Sequence, residues 1–229
     1  MTLVPFFSRQ RDDQWIEIPP TYRTTARWIP RIGDCFPNFS APSTQGPLTF
    51  HPWAEGSWSV LFSFAAAFTP VCTSELRGMA AAQDDLAQMG VKLLGMSRDD
   101  VATQQRWLDE IALETDTPPR FPLMGDCNAQ LSRALGMIHP RAAPGLTVRK
   151  TVIVDPKLRV RMIFEYPITV GRSTEELLRT VEALQIGDAQ SAATPADWLP
   201  GEDCITLEPL AKSRRDSVLR PLKTLCRYG

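Results

Sequence analysis

The stretch SFAAAFTPVCTSEL, residues 63 to 76, places Cys72 where an apolar run gives way to a helical pattern. A thiol is nucleophilic as its thiolate, a form favoured over that of an ordinary free cysteine (pKa ~8.5) at helix N-termini and beside cations. Cys72 is expected in such a first turn, where unpaired backbone N–H groups and the positive end of the helix dipole favour an anion. Thr69 and Pro70 suit a tight lead into that turn, and the Thr69 hydroxyl is in reach to donate to the sulfur or to a bound oxygen. A lone cysteine is nonetheless more often a small buried hydrophobe, so by itself the stretch leaves filler and nucleophile both open. The remaining cysteines, Cys35, Cys127, Cys204 and Cys226, lack Cys-x-x-Cys spacing, which argues against a zinc site and a secreted disulfide framework and for free thiols in a reducing compartment. His51 and His139 lie far apart and make no metal-ligand set. Arg149, Arg172 and Glu75, taken singly, read as solvated side chains.

The elements that must position Cys72 follow from periodicity. WSVLFSF (58 to 64) has the near-continuous apolar character of a buried strand. In the segment that follows, Leu76, Met79, Ala80, Leu86 and Met89 suit one face of a helix that Gly90 ends. Residues 91 to 97 predict a second strand, 101 to 114 a helix, FPLM a short extended piece and 128 to 137 another helix. KTVIVDP and LRVRMIFE straddle the turn Asp155-Pro156-Lys157 as a hairpin, and Ser173 with Glu176 resembles a capping box opening a last helix. Alternating strands and helices closed by a hairpin and helix are compatible with an α/β fold of the thioredoxin-like type, a central mixed sheet flanked by helices.

The chain has 229 residues, enough for one well-buried domain with additions. With 43% hydrophobic and 22% charged residues and a net charge of −1, it has the composition of a globular protein and no electrostatic reason to bind nucleic acid. MTLVPFFSRQ is interrupted too early for a signal-peptide core and no stretch approaches a membrane span, so a cytoplasmic location without membrane contact is expected. Residues 1 to 28 read as an irregular N-terminal extension, 29 to 187 as the folded domain, and 188 to 229 as a C-terminal arm behind a Pro-rich linker.

FTPVCTSEL resembles the peroxidatic loop of the peroxiredoxins, in the form of their one-cysteine subgroup. IGDCFPNFSAPSTQGPLTFHPWAEGSWSVLFS, FPLMGDCNAQLSRALGM, RKTVIVDP, YPITVGRSTEELLRTVEALQ and AATPADWLPGED extend the likeness, in the family's order, over roughly residues 32 to 205. The resemblance implies a thiol-dependent peroxidase that reduces hydrogen peroxide or alkyl hydroperoxides through a cysteine sulfenic acid, with neither metal nor organic cofactor. Cys72 matches the peroxidatic cysteine, Thr69 the peroxide-binding threonine and Arg149 the arginine beside the sulfur. Arg172 resembles a second, supporting arginine and Glu75 the carboxylate that pairs with these arginines. An external thiol reductant such as thioredoxin or glutathione is implied, as is a homodimer, or a larger ring, built with the C-terminal arm, which reads here as shortened relative to the subgroup.

Two positions depart from the family pattern. The signature proline seven residues before the cysteine is Ala65, and the histidine before it is Phe64. That exchange is expected to loosen the site, slow the reaction or admit a bulkier substrate. No resolving cysteine is assigned, although Cys204 and Cys226 lie in the arm. A phospholipase-like Ser, His and Asp set, known in some relatives, finds His51 and Ser57 here but Lys157 in the aspartate position, which argues against it. The alternative from another class is a peroxide-sensing or chaperone-like binding protein with little turnover.

Overall fold

The computed structural model describes residues 29–139 and 145–206, together with the backbone of Phe7–Arg9 and Trp15–Glu17. Within the expected N-terminal extension, β1 (Phe7–Arg9) pairs antiparallel with β2 (Trp15–Glu17). The rest of that extension, Cys226 and the arm beyond residue 206 lie outside the described residues.

Strand β5 (Trp58–Ser63) lies inside the sheet and is buried at every position. It runs parallel to β6 (Val91–Ser97) and antiparallel to β8 (Arg149–Val154). Beyond β6 lies β7 (Leu123–Gly125), and beyond β8 lies β9 (Val160–Tyr166). The hairpin β3 (Ser40–Ser43) and β4 (Gly46–Thr49) completes a mixed seven-stranded sheet in the order β4-β3-β7-β6-β5-β8-β9. A five-residue helix, α1 (Phe50–Ala54), follows β4 directly. Among the described residues no helix is long and apolar enough to cross a membrane.

Side-chain alternation divides the core between the two faces of this sheet. Leu61, Leu94, Met96, Met124, Val152 and Val160 join Phe36, Phe39 and Phe50 in one apolar cluster. Val60, Phe62 and Thr151 therefore point the other way. Helix α2 (Pro70–Gln88) leaves the C-terminal end of β5 and ends before Gly90, whose φ of 71° is readily adopted only without a Cβ. Leu76, Met79, Ala80 and Leu86 of its expected apolar face are buried. Helix α3 (Val101–Leu113) is capped by Asp100, which accepts from Thr103 N at 2.6 Å, a bond that holds this carboxyl below the usual range.

Among the expected elements that come out shorter, two have causes visible in the structure. Helix α4 covers Gln130–Ala134 instead of 128 to 137. Ala129 takes a left-handed φ of 54°, the buried Asp126 carboxylate accepts from the N–H groups of Gln130, Leu131 and Ser132, and Gly136 turns the chain at φ 66°. β9 starts at Val160 because Leu158, with φ 63°, belongs to the turn.

The chain divides into two compact units, Met1–Thr174 and Glu175–Gly229. Helix α5 (Thr174–Gln190) opens the second and runs past Gly187, where a Cβ would lie 3.3 Å from Ala192 O. In that unit β10 (Ala192–Ala193) pairs with β11 (Ile205–Thr206), and Trp198 is buried against Ile186, Ala192 and Cys204. Glu176 accepts from Arg179 Nε and Nη2 at 2.5 and 2.7 Å, which lowers the carboxyl and raises the guanidinium from their ordinary values.

Gly95 of β6 sits opposite Phe62 of β5, on the face that carries α2. A Cβ there would overlap the Leu123 Cδ2 methyl and lie 3.1 Å from the Phe62 ring. Gly95→Ala is expected to destabilise the protein by about 1–3 kcal/mol, read from the urea midpoint at unchanged slope.

Candidate active site

Cys72 is the third residue of α2, and its side chain is fully buried. Thr69 is the N-cap residue and Pro70 the first helical one, where a missing N–H costs no intrahelical bond. The first helical hydrogen bond, Thr73 N to Thr69 O at 2.9 Å, leaves the amides of Val71 and Cys72 in the unpaired first turn. The strand-to-helix joint is fixed by its neighbours: Phe64 N donates to Met96 O at 3.0 Å, and the Thr147 hydroxyl donates to Phe64 O at 2.5 Å.

Arg149 opens β8, which lies antiparallel beside β5, and Thr151 two residues on pairs with Phe62. By alternation Arg149 and Thr151 share the face of the sheet on which α2 starts. Arg149 Nη1 donates to Cys72 Sγ at 3.3 Å and to Glu75 Oε2 at 2.5 Å. Its Nε and Nη2 both donate to Ile168 O, at 3.1 and 2.7 Å, so the guanidinium is held on two sides. Arg172 grips the same carboxylate as a fork, Nε to Oε1 and Nη2 to Oε2, each at 2.9 Å, while its backbone N–H adds a third bond to Oε1. Its remaining Nη1 donates to Thr151 Oγ1 at 3.2 Å, and the guanidinium lies 5.2 Å from the Phe62 ring centroid.

Cys72, Glu75, Arg149 and Arg172 thus form one network, although the two arginines and the carboxylate each read from sequence alone as solvated. The side chains of Glu75, Arg149 and Arg172 are 2%, 2% and 4% exposed, so their charges must be met by one another. Two guanidiniums against one carboxylate leave a single positive charge in excess, which an ionised sulfur would balance. Thr69 departs from the expected donor role. Its hydroxyl proton goes to Ala66 O at 2.9 Å, a local three-residue contact, rather than to the sulfur. Thr151 and the Ile168 carbonyl were not legible as site groups; alternation from Arg149 could have flagged the first, and a backbone oxygen leaves no signal in the sequence.

A segment matching the AhpC/TSA family covers residues 32–163. The chain is a peroxiredoxin of the AhpC/TSA family. The peroxiredoxin of Methanosarcina mazei is 38% identical over 187 residues, covering 79% of this chain and 85% of that one. The mitochondrial peroxiredoxin PRX1 of Saccharomyces cerevisiae is 37% identical over 182 residues, covering 76% and 70%. Among solved structures, a cysteine-to-serine mutant of the peroxiredoxin 6 of Arenicola marina superposes with a TM-score of 0.75 at 36% identity, over 80% of this chain and 86% of that one. The sheet and its helices are accordingly the thioredoxin-like α/β arrangement.

The other cysteines of this peroxiredoxin sit in different settings. Cys35 is half-buried, Cys127 exposed, and Cys204 buried in the second unit's own apolar cluster. His51 is buried with Nε2 2.6 Å from Phe36 O, and His139 is exposed beside Gly136.

Glu75→Gln removes the charge that two buried guanidiniums share. The peroxiredoxin carrying it is expected to lose about 3–5 kcal/mol of stability, measured by urea titration, because breaking a buried pair leaves uncompensated charge.

Proposed function

We propose that Cys72 is the peroxidatic nucleophile of this thiol-dependent peroxidase, acting on hydrogen peroxide or alkyl hydroperoxides. The observation that carries the reading is the buried contact between Arg149 Nη1 and Cys72 Sγ at 3.3 Å. The thiolate attacks one peroxide oxygen, an S–O bond forms as the O–O bond breaks, and the departing oxygen leaves as water or an alcohol after taking a proton. Arg149 is then in place to donate to the oxygen on which charge develops. Thr69 Oγ1, whose own proton is committed to Ala66 O, accepts from the O–H of the incoming peroxide. Glu75 and Arg172 orient Arg149 through the carboxylate they share. Two equivalents of an external thiol return the sulfenic acid to the thiol, yielding a disulfide and water; thioredoxin and glutathione are the reductant classes we favour.

The solved yeast mitochondrial one-cysteine peroxiredoxin, 36% identical here with a TM-score of 0.71, is described as resolving its thiol through glutathione and thioredoxin systems. That supports the reductant class. We further propose that residues 29 to 187 act as the peroxidase domain and 188 to 229 as a dimerisation arm. A cytoplasmic location rests on five thiols without paired spacing, set against a yeast relative named as mitochondrial.

Stopped-flow oxidation of the reduced protein and of Cys72→Ser, with thiol titration and turnover under a thiol reductant, tests the assignment. Wild type is expected to react far faster than a free thiol and to consume many equivalents of peroxide, and Cys72→Ser to lose both. Consumption of about one equivalent with a change of assembly would instead identify a peroxide sensor.

A further inference from the structure

We propose that Asp99 is a positioning residue for the reaction at Cys72, holding the loop between β5 and α2 in its working conformation. The proposal rests on the assignment of Cys72 as the peroxidatic thiol. Residues 64 to 69 join the strand to the helix, and their backbone decides where the sulfur and Thr69 face a substrate. Within the loop the Thr69 hydroxyl ties only its last turn, donating to Ala66 O at 2.9 Å. Ala65 stands where the family resemblance has a proline, so the φ restriction of a pyrrolidine ring is absent. Phe68, a bulky residue, takes a φ of 59°, a conformation that persists only where surrounding structure imposes it.

The imposing structure lies across the loop, between β6 and α3. Asp99 Oδ2 accepts from Ala67 N, in the middle of the loop, at 2.7 Å. The same oxygen accepts from Ser97 Oγ at 2.8 Å, and Ser97 Oγ in turn accepts from Gln104 Nε2 at 2.9 Å. Gln104 also donates to Met124 O at 2.9 Å, so the carboxylate is oriented by groups anchored in the sheet before it meets the loop. Trp107, one turn further along α3, supports the ends. Its Nε1 donates to Thr73 Oγ1 at 3.1 Å, and its ring centroid lies 5.2 Å from Phe64 and 6.4 Å from Phe68. Among the described residues, none of the Asp99 hydrogen bonds goes to Cys72, Glu75, Arg149 or Arg172, so it acts on the sulfur only through the loop. A charged acceptor on a single backbone N–H is a strong tether, and it substitutes from outside for the restriction the loop lacks inside.

The test compares full-length wild type, Asp99→Ala, Asp99→Asn and Asp100→Ala in stopped-flow oxidation by hydrogen peroxide. Asp100→Ala removes the cap of α3 without touching the loop. Asp99→Ala is expected to slow oxidation of Cys72 by about 10-fold or more, as a small displacement of reacting groups does. Asp99→Asn, which keeps an acceptor oxygen, is expected to restore the rate to within about threefold, and Asp100→Ala to leave it unchanged. An Asp99→Ala protein as fast as wild type, an Asp99→Asn protein as slow as Asp99→Ala, or an equal loss in Asp100→Ala would each overturn the proposal. Should Asp99→Ala not fold, Ser97→Ala takes its place, with a drop of about threefold expected and the wild-type rate overturning the proposal. A wild type no faster than a free thiol overturns the peroxidase assignment and this proposal together, whereas a fast wild type beside an equally fast Asp99→Ala overturns this one alone.

Discussion

Glu75 carries a carboxylate with 2% of its side chain exposed, and the surrounding site is arranged around the need to satisfy it. An unpaired ion in that position would cost several kcal/mol, so it recruits Arg172 as a fork with its backbone amide and Arg149 as a single donor. The three bonds from Arg172 tie the segment after Tyr166 to α2, and Arg149 ties β8 to the same point. Because Arg149 has donors to spare, one nitrogen serves the carboxylate and the sulfur together while the others are fixed on Ile168 O. A buried ion cluster of this kind is weak support for stability as such. Its value here lies in geometry and in the single positive charge left over, which faces the one group in the cluster able to become an anion.

The sheet decides that this cluster can exist. β5 and β6 run parallel, so α2 must begin at the carboxyl end of β5, the end at which open α/β sheets place their ligands. The antiparallel register of β8 on β5 sets Thr151 beside Phe62 and carries Arg149 just past the end of β5, on the same face. A slip of one residue would turn Arg149 into the opposite apolar cluster and leave Glu75 facing one cation. The Phe62 ring and Gly95 beside it show how tightly that face is filled, since the ring lies under the Arg172 guanidinium and little space remains for a Cβ opposite.

Local signals located the secondary structure wherever burial was one-sided or complete. The apolar run ending at Ser63, the apolar face of α2 with its stop at Gly90 and the hairpin about Asp155 are periodic or turn-encoded, and each formed near its expected bounds. Misjudged ends had tertiary causes. Asp126 reaches forward to three backbone amides and draws the start of α4 later than its apolar spacing suggests. Gly187, a residue that ordinarily marks a helix end, lies inside α5 because the chain returns close over it at Ala192.

The sequence by itself determined that a cysteine would stand in the first turn of a helix after a buried strand, because apolar periodicity and the tight lead offered by Thr69 and Pro70 are local features. The likeness of FTPVCTSEL and its flanking motifs supplied the chemistry to look for. Only the tertiary structure decided that Arg149 and Arg172, 74 and 97 positions along the chain from Glu75, would meet it beside that sulfur and be sealed from water with it. It also decided that the Thr69 proton would go to Ala66 O and that Asp99 would reach across to Ala67. The reason is physical: helix and strand periodicity are written in neighbouring residues, whereas the pairing of buried charges and the reach of a carboxylate to a distant amide depend on register and burial that no local stretch contains.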